Sequence, residues 1–475
     1  MLTEIRKQIY SVGVTMEKRK KRNIIVISIV SLLCILLVIY FGMSIYFTNH
    51  FYFGSKINSI SVSGKSVNEV EEQVPEELKS YTLELEERGG KKEEIRGADI
   101  ALKYNSDLEA KSLKDKQNPF KWISSLFNTE DSKITEEFSY DTTLLKDQVD
   151  KLSCFDSSNI IEPTNPGFQY IDGSYVITSE INGNKINKDI LNNEIIDAIL
   201  NGTTKLDLEL LNCYEKPGYT SSSPEVIDTK NMLDKYAGTK ITYTIGKSTE
   251  SLDGSTINKW LNVNNDLEIK LDEEKVKNYL EVLSNTYDTV GRKRNFKATS
   301  GNSIEVTGGD YGWSIDEDEE LKSLIIAIRE GQVITKEPIY FQTALSHENS
   351  DIGNSYVEIN MTSQHLWFYK NGSLIIQGDV VTGNVSNNTS TPVGVYKLKY
   401  KQKDATLKGE DYSTPVAYWM PFNGGIGIHD AVWRGEFGGE IYRTSGSHGC
   451  INAPYELANT IFDNIDEGTP IICYY

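Results

Sequence analysis

The sequence predicts a multidomain α+β protein with an N-terminal transmembrane helix, two α+β repeat modules and a C-terminal β-rich domain. Three observations support this organisation. An uncharged run covers residues 24–47, an internal repeat relates residues 175–202 to residues 304–331, and a β-prone run at 425–428 leads to a cluster of histidine and cysteine near the C-terminus. At 475 residues the chain can bury several cores without disulfide support.

The first 47 residues predict a membrane anchor. Residues 1–22 form a basic tail, which a helix over residues 23–47 follows. The uncharged run from Ile24 to Phe47 would be about 36 Å long as a helix, enough to cross the hydrocarbon core. The positive-inside rule places the tail in the cytoplasm and the rest of the chain outside the cell. A cleaved signal peptide is the alternative, but its apolar core would be shorter and would end in small residues.

The charge distribution bears on the partners of the exported part. The tail carries seven basic and two acidic residues, a net +5, and residues 23–50 carry no charged residue. The whole-chain net charge of −19 therefore leaves −24 for the remainder. Such an acidic ectodomain argues against nucleic acid or an anionic membrane surface as a partner.

The repeat predicts two modules of the same kind. At a constant offset of 129, Gly183 falls on Gly312 and Ile186 on Ile315; at an offset of 131, Asp141 falls on Asp272. Each module is expected to contain a helix that starts at the aspartate, then strands, then a second helix that a glycine closes.

The repeat and local composition also set the predicted domain boundaries. We expect the modules at residues 107–215 and 216–342, after a stalk or partial module at 48–106. A linker rich in Ser, Asn and Gly at 343–355 leads into the C-terminal domain, residues 356–475.

The candidate active site combines Ser447-His448-Gly449-Cys450 with His429. A histidine held against a cysteine can take its proton and stabilise the thiolate, which is the nucleophile, so a depressed Cys450 pKa is expected. On an extended backbone His448 and Cys450 would point to the same side, whereas His429 must approach through the fold.

Other interpretations of these residues are open. Cys450 could be a buried structural thiol, or a cysteine and two histidines could bind zinc, although no Cys-x-x-Cys or His-x-x-x-His accompanies them. We therefore expect no metal site and no cofactor. A reactive thiol must stay free, so at most one disulfide would form among the remaining extracellular cysteines, and Cys154 with Cys213 is the pair we would choose.

At these positions the chain resembles the L,D-transpeptidases of the YkuD family. Their signature is a histidine, a variable loop, and then Ser/Thr-His-Gly-Cys followed by one residue and Asn or Arg. The resemblance extends over residues 356–475, including Gln364-x-Leu366-Trp367, Thr382-Gly383 and Thr391-Pro392-x-Gly394. It implies a β-rich catalytic domain. The upstream modules more weakly resemble peptidoglycan-binding modules, and they could either bind the wall or act as spacers.

The resemblance also implies the roles of single residues. Cys450 would be the nucleophile and His429 the general base and acid, while His448 and the Gly449 backbone would lie near the oxyanion hole. Ser447, Asn452 and the aromatic Tyr418 are candidates for substrate binding, and Asn452 could instead brace the loop. Core packing is the alternative for Tyr418. Asp430 is not expected to join a triad; a solvated loop carboxylate is at least as plausible, because the family often orients this histidine through a backbone carbonyl.

The implied reaction takes place on peptidoglycan stem peptides in the cell wall space. Cys450 would attack a donor tetrapeptide, release D-Ala and form a thioester, and an acceptor amine would then complete a 3→3 cross-link. If water took the acyl group instead, the enzyme would be an L,D-carboxypeptidase. A wall-binding scaffold without activity is the alternative from another class.

Overall fold

The computed structural model describes residues 2–57, 60–104, 109–128, 131–132, 138–348, 351–409 and 413–475, without the side chains of 5–14, 109 and 131–132. The chain divides into two compact units. One contains residues 1–166 and 179–220, and the other contains residues 167–178 and 221–475.

The first unit begins with one long helix, α1 (Leu2–Tyr46). Its part from Thr15 to Tyr46 is long and apolar enough to cross a membrane, and its most apolar stretch is not buried in the protein. The side chains of this stretch are instead exposed, as Val38 is at 72%. A signal sequence near the N-terminus would have the same length and composition.

The segment after α1 alternates short helices and strands. The elements between residues 48 and 220 are β1 (Lys56–Ile57), β2 (Ile60–Ser61), α2 (Val67–Lys79), β3 (Thr82–Glu86), β4 (Lys92–Arg96), β5 (Lys103–Tyr104), α3 (Glu109–Lys116), α4 (Trp122–Ser125), β6 (Asp131–Ser132), β7 (Phe138–Ser139), α5 (Thr142–Asp150), β8 (Gly167–Ile171), β9 (Ser174–Thr178), α6 (Lys188–Asn201) and β10 (Lys205–Asp207).

The core of the first unit lies against a three-stranded sheet of order β10-β3-β4. Alternation along β3 buries Leu83 and Leu85, and α6 buries Leu191 and Ile195 in the same cluster. Because β3 pairs in parallel with β10, residues 82–86 belong to the same core as residues 188–214. Residues 82–86 therefore pack with this core, and the assignment of residues 48–106 as a stalk or partial module stays a prediction. The predicted boundary between residues 106 and 107 lies outside the described residues.

The next stretch of chain has a corresponding set of elements. Between residues 221 and 348 these are α7 (Pro224–Ala237), β11 (Lys240–Ile245), β12 (Ser248–Leu252), α8 (Gly254–Ile257), β13 (Leu261–Val263), β14 (Ile269–Leu271), α9 (Glu273–Tyr287), β15 (Arg294–Lys297), β16 (Ser303–Val306), β17 (Ser314–Ile315), α10 (Glu317–Glu330), β18 (Val333–Lys336) and β19 (Tyr340–Gln342). Its sheet has the order β12-β11-β18, again with one parallel and one antiparallel pair.

The predicted helix boundaries at the repeat are confirmed. The Asp141 side chain caps α5 by accepting from the amides of Thr143 and Leu144, and the Asp272 side chain caps α9 by accepting from the amide of Lys275. Helices α6 and α10 both end at a glycine in the left-handed conformation. Glycine adopts this conformation without steric cost because it has no Cβ. The division of the chain into modules at residues 107, 216 and 342 stays a prediction.

Two hairpins pack on the segment of chain that follows them. The β8–β9 hairpin belongs to the second unit, where Tyr175 enters the core of residues 233–328 and its amide donates to Asp234 at 2.6 Å. The β15–β16 hairpin places Phe296 and Val306 in a cluster with Ile472 of the C-terminal domain. The region upstream of the C-terminal domain is thus continuous with it in packing.

The predicted linker at 343–355 is packed in its described part. Asp351 is buried and lies 3.2 Å from the guanidinium of Arg294, and the ring of His347 stacks on Trp313 at 3.8 Å between centroids. Residues 349 and 350 lie outside the described residues.

The C-terminal domain is β-rich, as predicted. It contains β20 (Tyr356–Asn360), β21 (His365–Lys370), β22 (Ser373–Asp379), β23 (Gly394–Lys397), β24 (Gln402–Lys408), β25 (Ser413–Asn423), β26 (Ile426–Asp430), α11 (Ile441–Ser445), β27 (Ile451–Ala453), α12 (Tyr455–Asn464) and β28 (Pro470–Tyr474). A five-stranded sheet of order β22-β21-β20-β28-β23 and a four-stranded sheet of order β24-β25-β26-β27 share one core with α12.

All five cysteines are free thiols. Cys154 and Cys213 are both buried in the core of the first unit, but they form no disulfide, so the bridge chosen from the sequence is wrong. Apolar packing stabilises this core without a covalent link.

Candidate active site

Strands β25, β26 and β27 place three side chains in one row. Trp419 pairs with His429 across the antiparallel β25–β26 ladder, and His429 pairs with Asn452 across the parallel β26–β27 ladder. Residues directly opposite each other in a sheet point to the same face. The indole, the imidazole and the carboxamide therefore lie side by side.

Cys450 lies two residues before Asn452, just before β27, at the level of Gly427 on β26. Strand alternation would direct Cys450 and Asn452 to the same face. A cavity of about 200 Å³ opens there. Its lining consists of Leu407, Thr414, His429, Trp433, Arg434, Gly446, Ser447, His448, Cys450 and Asn452. The structure thus brings together five of the side chains that the sequence singled out.

Two glycines make room for this arrangement. A Cβ on Gly427 would lie 2.7 Å from both the Met420 carbonyl oxygen and the Trp419 ring, so a side chain there would push the indole away. Gly449 has φ +115°, which L side chains rarely adopt, and a Cβ there would lie 3.0 Å from Ile426. Glycine at 449 allows the chain to turn just before the thiol.

Ser447 braces that turn. Its hydroxyl donates to the Cys450 carbonyl at 2.6 Å and accepts from the Gly449 amide at 3.0 Å. The Gly449 carbonyl in turn accepts from Thr391 Oγ1 at 2.7 Å. The Gly449 amide is therefore engaged within the turn.

His429 is held at both ring nitrogens. Nδ1 lies 2.8 Å from the carbonyl oxygen of Asp430. Because a carbonyl only accepts, Nδ1 carries the hydrogen of the neutral ring and Nε2 keeps its lone pair. This backbone partner is the kind that the family resemblance implied.

Asn452 contacts Nε2. The guanidinium of Arg434 has only donors, so the carboxamide oxygen of Asn452 faces it, 2.7 Å from Nε and 3.2 Å from Nη2. The amide nitrogen then donates to His429 Nε2 at 3.1 Å. Arg434 also donates to the Ser445 carbonyl at 2.9 Å. A chain of hydrogen bonds therefore runs from Arg434 through Asn452 to the imidazole.

The resting protonation states differ from the expectation of a depressed thiol pKa. Burial raises the pKa of Cys450 to about 11, opposed by the Gly427 amide. Burial likewise lowers the pKa of His429, and the Arg434 charge acts in the same direction. The thiol Sγ lies 3.5 Å from the Gly425 carbonyl, where an S–H can donate. Burial therefore disfavours the charged form of both groups, and with it a resting pair of thiolate and imidazolium.

The structure also places Tyr418, for which core packing was the alternative, and the residues Asp430 and His448. Tyr418 does not line the cavity; it is buried in the main core against Tyr455 and Phe462, while its neighbour Trp419 faces the site. Asp430 is no solvated carboxylate: it is 2% exposed and accepts from the Tyr418 amide at 2.8 Å. His448 is exposed at the rim.

Sequence reasoning missed Trp433 and Arg434. The Trp433 ring is inclined by 29° to the His429 ring, at 5.9 Å between centroids, and half of the surface of Trp433 is exposed. Both follow His429 by four and five residues in the excursion after β26. An aromatic and a cation so close to a candidate base are the signal that could have drawn attention to them.

Within the part of the chain that the structure describes, no group of three or more His, Cys, Asp or Glu side chains is placed to hold a metal ion.

The comparisons with known proteins point to one family. Residues 354–473 match the model of the YkuD L,D-transpeptidase catalytic domain, and residues 96–207 and 219–335 match the model described as "Putative peptidoglycan binding domain". The crystal structure of a mutant Enterococcus faecium L,D-transpeptidase is 36% identical, covers 53% of this chain and 100% of that chain, and has a TM-score of 0.44. The chain belongs to the L,D-transpeptidase family.

Other solved structures cover less of the chain. The catalytic domain of the Enterococcus faecium L,D-transpeptidase acylated by ertapenem is 41% identical over 26% of this chain and 98% of that chain, with a TM-score of 0.24. A Mycobacterium smegmatis L,D-transpeptidase is 21% identical over 26% of this chain and 59% of that chain, with a TM-score of 0.23. The comparison with curated proteins gave no match.

Family membership fixes the general activity of this L,D-transpeptidase. The catalytic domain assigns a transpeptidase, an acyltransferase, and both domain types point to peptidoglycan as substrate. The peptidoglycan-related domains accordingly place its activity in the cell wall space.

Proposed function

We propose that the protein is a membrane-anchored L,D-transpeptidase that forms 3→3 peptidoglycan cross-links through a thioester on Cys450. One observation carries the proposal: Cys450, His429 and Asn452 line one cavity in a domain of this family. Cys450 serves as nucleophile and His429 as general base and acid. Asn452 and the Asp430 carbonyl hold the imidazole in the tautomer that can accept a proton at Nε2.

The first half-reaction starts from the neutral pair. The Asn452 amide releases His429 Nε2, and the Cys450 thiol leaves the Gly425 carbonyl and passes its proton to that nitrogen. The sulfur attacks the carbonyl carbon between the third residue of a tetrapeptide stem and D-Ala. The oxygen becomes an oxyanion. Its collapse breaks the C–N bond, and D-Ala leaves with the proton from His429. Proton transfer at the moment of attack avoids a resting ion pair, which burial disfavours.

The second half-reaction reverses these roles. An amine of a neighbouring stem gives a proton to His429 and attacks the thioester, which forms the new amide and restores the thiol. Trp433 and Trp419 present ring surface on two sides of the imidazole, and this surface shields the thioester from water. Water in place of the amine would give a carboxypeptidase product from the same intermediate.

The anchor is helix α1. Basic residues 18–22 precede its apolar stretch, so the positive-inside rule keeps residues 1–22 in the cytoplasm and exports the rest. The upstream domains lie between the anchor and the catalytic domain along the chain, and they bind peptidoglycan as their family description suggests.

Product analysis tests the proposal. The purified full chain in detergent, incubated with disaccharide-tetrapeptide, is expected to release D-Ala and to build dimers that mass spectrometry identifies as 3→3 linked. Cys450→Ala should abolish both products. Cys154→Ala, which removes a buried thiol of the first unit, is the matched control and should retain them.

Three results would contradict parts of this assignment. Tripeptide without dimers would show a carboxypeptidase. No turnover by the wild-type chain would favour a wall-binding scaffold. Dimers formed equally by Cys450→Ala would remove Cys450 as the nucleophile. As a probe of the thioester step, ertapenem, which acylates the related Enterococcus faecium catalytic domain, is expected to add its mass to Cys450.

A further inference from the structure

The two α+β regions differ most in the connection after their first hairpin. In the second region, β13 and β14 are joined by residues 264–268. In the first, β5 and β7 are joined by residues 105–137. The described residues 109–128 of this connection, here called the insert, contain α3, a 3₁₀ turn at Pro119–Lys121 and α4.

The insert packs on the end of α1. Trp122 lies against Phe47, with ring centroids 6.0 Å apart, and its indole nitrogen donates to the Tyr40 carbonyl at 3.3 Å. The Tyr40 hydroxyl donates to the Phe120 carbonyl at 2.9 Å. Together with Tyr52 these residues form a small aromatic cluster. The added segment is thus folded specifically against the apolar helix.

The contact fixes the depth of the insert. Tyr40 lies 18 residues after Arg22, which is about 27 Å along a helix, and the hydrocarbon core is about 30 Å thick. With Arg22 at the inner surface, Tyr40 therefore reaches the outer boundary of the core. This is the level at which Tyr and Trp concentrate in membrane proteins.

The insert exposes apolar side chains at that level. Phe127 is 83% exposed, Phe120 56%, Leu126 53% and Ile123 46%. Four large apolar side chains within eight residues are costly in water but stable at the boundary between headgroups and acyl chains. The bilayer that holds α1 must reach the residues packed on Tyr40. The exposed apolar side chains of the insert therefore contact the outer leaflet.

A basic cavity lies beside these residues. Its volume is about 280 Å³, and Lys56, Lys116 and Lys121 line it together with Ser55 and Ser124. Three lysines around one cavity stand out in an ectodomain whose net charge is −24. That net charge argues against a general attraction to an anionic surface, so a contact with anionic lipid must be local.

We propose that the insert is a second membrane contact, in which Phe120, Ile123, Leu126 and Phe127 enter the outer leaflet and the lysine-lined cavity takes the phosphate of an anionic phospholipid. The contact rests on the proposed anchoring by α1. It fixes the first unit against the bilayer, so that the unit cannot swing freely about the end of α1.

Selective quenching tests the contact in the full chain. Phe127→Trp is reconstituted in vesicles of phosphatidylcholine and phosphatidylglycerol in which only one lipid carries brominated acyl chains. We expect the added emission to be largely lost, and brominated phosphatidylglycerol to quench it more than brominated phosphatidylcholine at equal mole fraction. Replacing Lys56, Lys116 and Lys121 by Gln should equalise the two lipids. The control is Leu210→Trp, 77% exposed in the same unit, whose added emission should persist.

The contrary outcomes are separable. Unquenched emission at 127 in chains that resist carbonate extraction would overturn the contact and leave the anchor standing. Equal quenching by both lipids in the wild-type lysine background would overturn the headgroup site. Release of the chain by carbonate would overturn the anchor, and the second contact with it.

Discussion

Cys450 and Cys473 lie in the same domain, and burial raises the pKa of both thiols, yet their surroundings differ. Cys473 is fully buried in the middle of β28, between Ile359 and Gly394 on the flanking strands. Cys450 lies at a turn before β27, against a cavity that it shares with His429. Burial is common to both, so burial cannot be what distinguishes Cys450, the proposed nucleophile, from Cys473. The comparison indicates that a base and an opening to substrate separate the two.

Removing the base should have the largest effect on this difference. His429→Gln keeps a side chain that can hydrogen-bond, but it cannot take the thiol proton. We expect kcat/KM for cross-linking to fall by about 10²–10⁴-fold. Rates of dimer formation measured by mass spectrometry give this value.

The matched control is Cys473→Ala. It leaves a small cavity in the sheet core, so the free energy of unfolding should fall by about 1 kcal/mol while kcat/KM stays near the wild-type value. If His429→Gln kept wild-type turnover, the base would have to be sought at another residue, with the exposed His448 as the next candidate.

Two classes of probe should sharpen the comparison further. With a pKa of about 11, only on the order of 1 in 10,000 Cys450 thiols is ionised at pH 7. Iodoacetamide, which needs the thiolate, should therefore react slowly and about tenfold faster per pH unit. A carbapenem brings a carbonyl to the site, where His429 can take the proton during attack, so acylation should be fast and nearly independent of pH above 7.

Peptide mapping after each treatment reports the modified cysteine. Rapid alkylation of Cys450 by iodoacetamide at pH 7, with a rate that does not change with pH, would show a resting thiolate–imidazolium pair. The sequence favoured that pair, and burial opposes it. Cys473 should resist both reagents in the folded protein, since it is fully buried.

Features set by local sequence were predictable. The aspartate caps of α5 and α9 and the glycine ends of α6 and α10 follow from residues within one helical turn, and the apolar stretch of α1 follows from composition. Half of the ten residues that line the candidate cavity lie between residues 446 and 452, within or beside the family motif, so this half was predictable from the sequence.

Features set by pairing between distant segments were not. β3 pairs with β10 more than a hundred residues later, so the sequence could not show that residues 82–86 belong to the core of the first unit. The thiol pKa depends on burial, which the motif Ser-His-Gly-Cys does not encode. Tyr418 and Trp419 are adjacent, and only the register of β25 decides which of them faces the site.

The chain of hydrogen bonds from Arg434 to His429 gives the prediction with the smallest effect. Asn452→Asp would place a carboxylate beside Nε2, where it favours the protonated imidazole and raises the His429 pKa, opposite to the effect of burial. Because activity needs the neutral ring, the acid limb of the kcat/KM profile should move up by about one pH unit.

Arg434→Lys separates the effect of charge from the effect of geometry in the same series of hydrogen bonds. It keeps the positive charge but loses the fork that holds the Asn452 oxygen at two nitrogens, so the amide can turn away from Nε2. We expect kcat to fall by less than tenfold with little change in the acid limb. If the acid limb were unchanged in Asn452→Asp, Asn452 would brace the strand without setting the protonation state of His429. The contrast between Cys450 and Cys473 would then depend only on His429 and on the cavity beside Cys450.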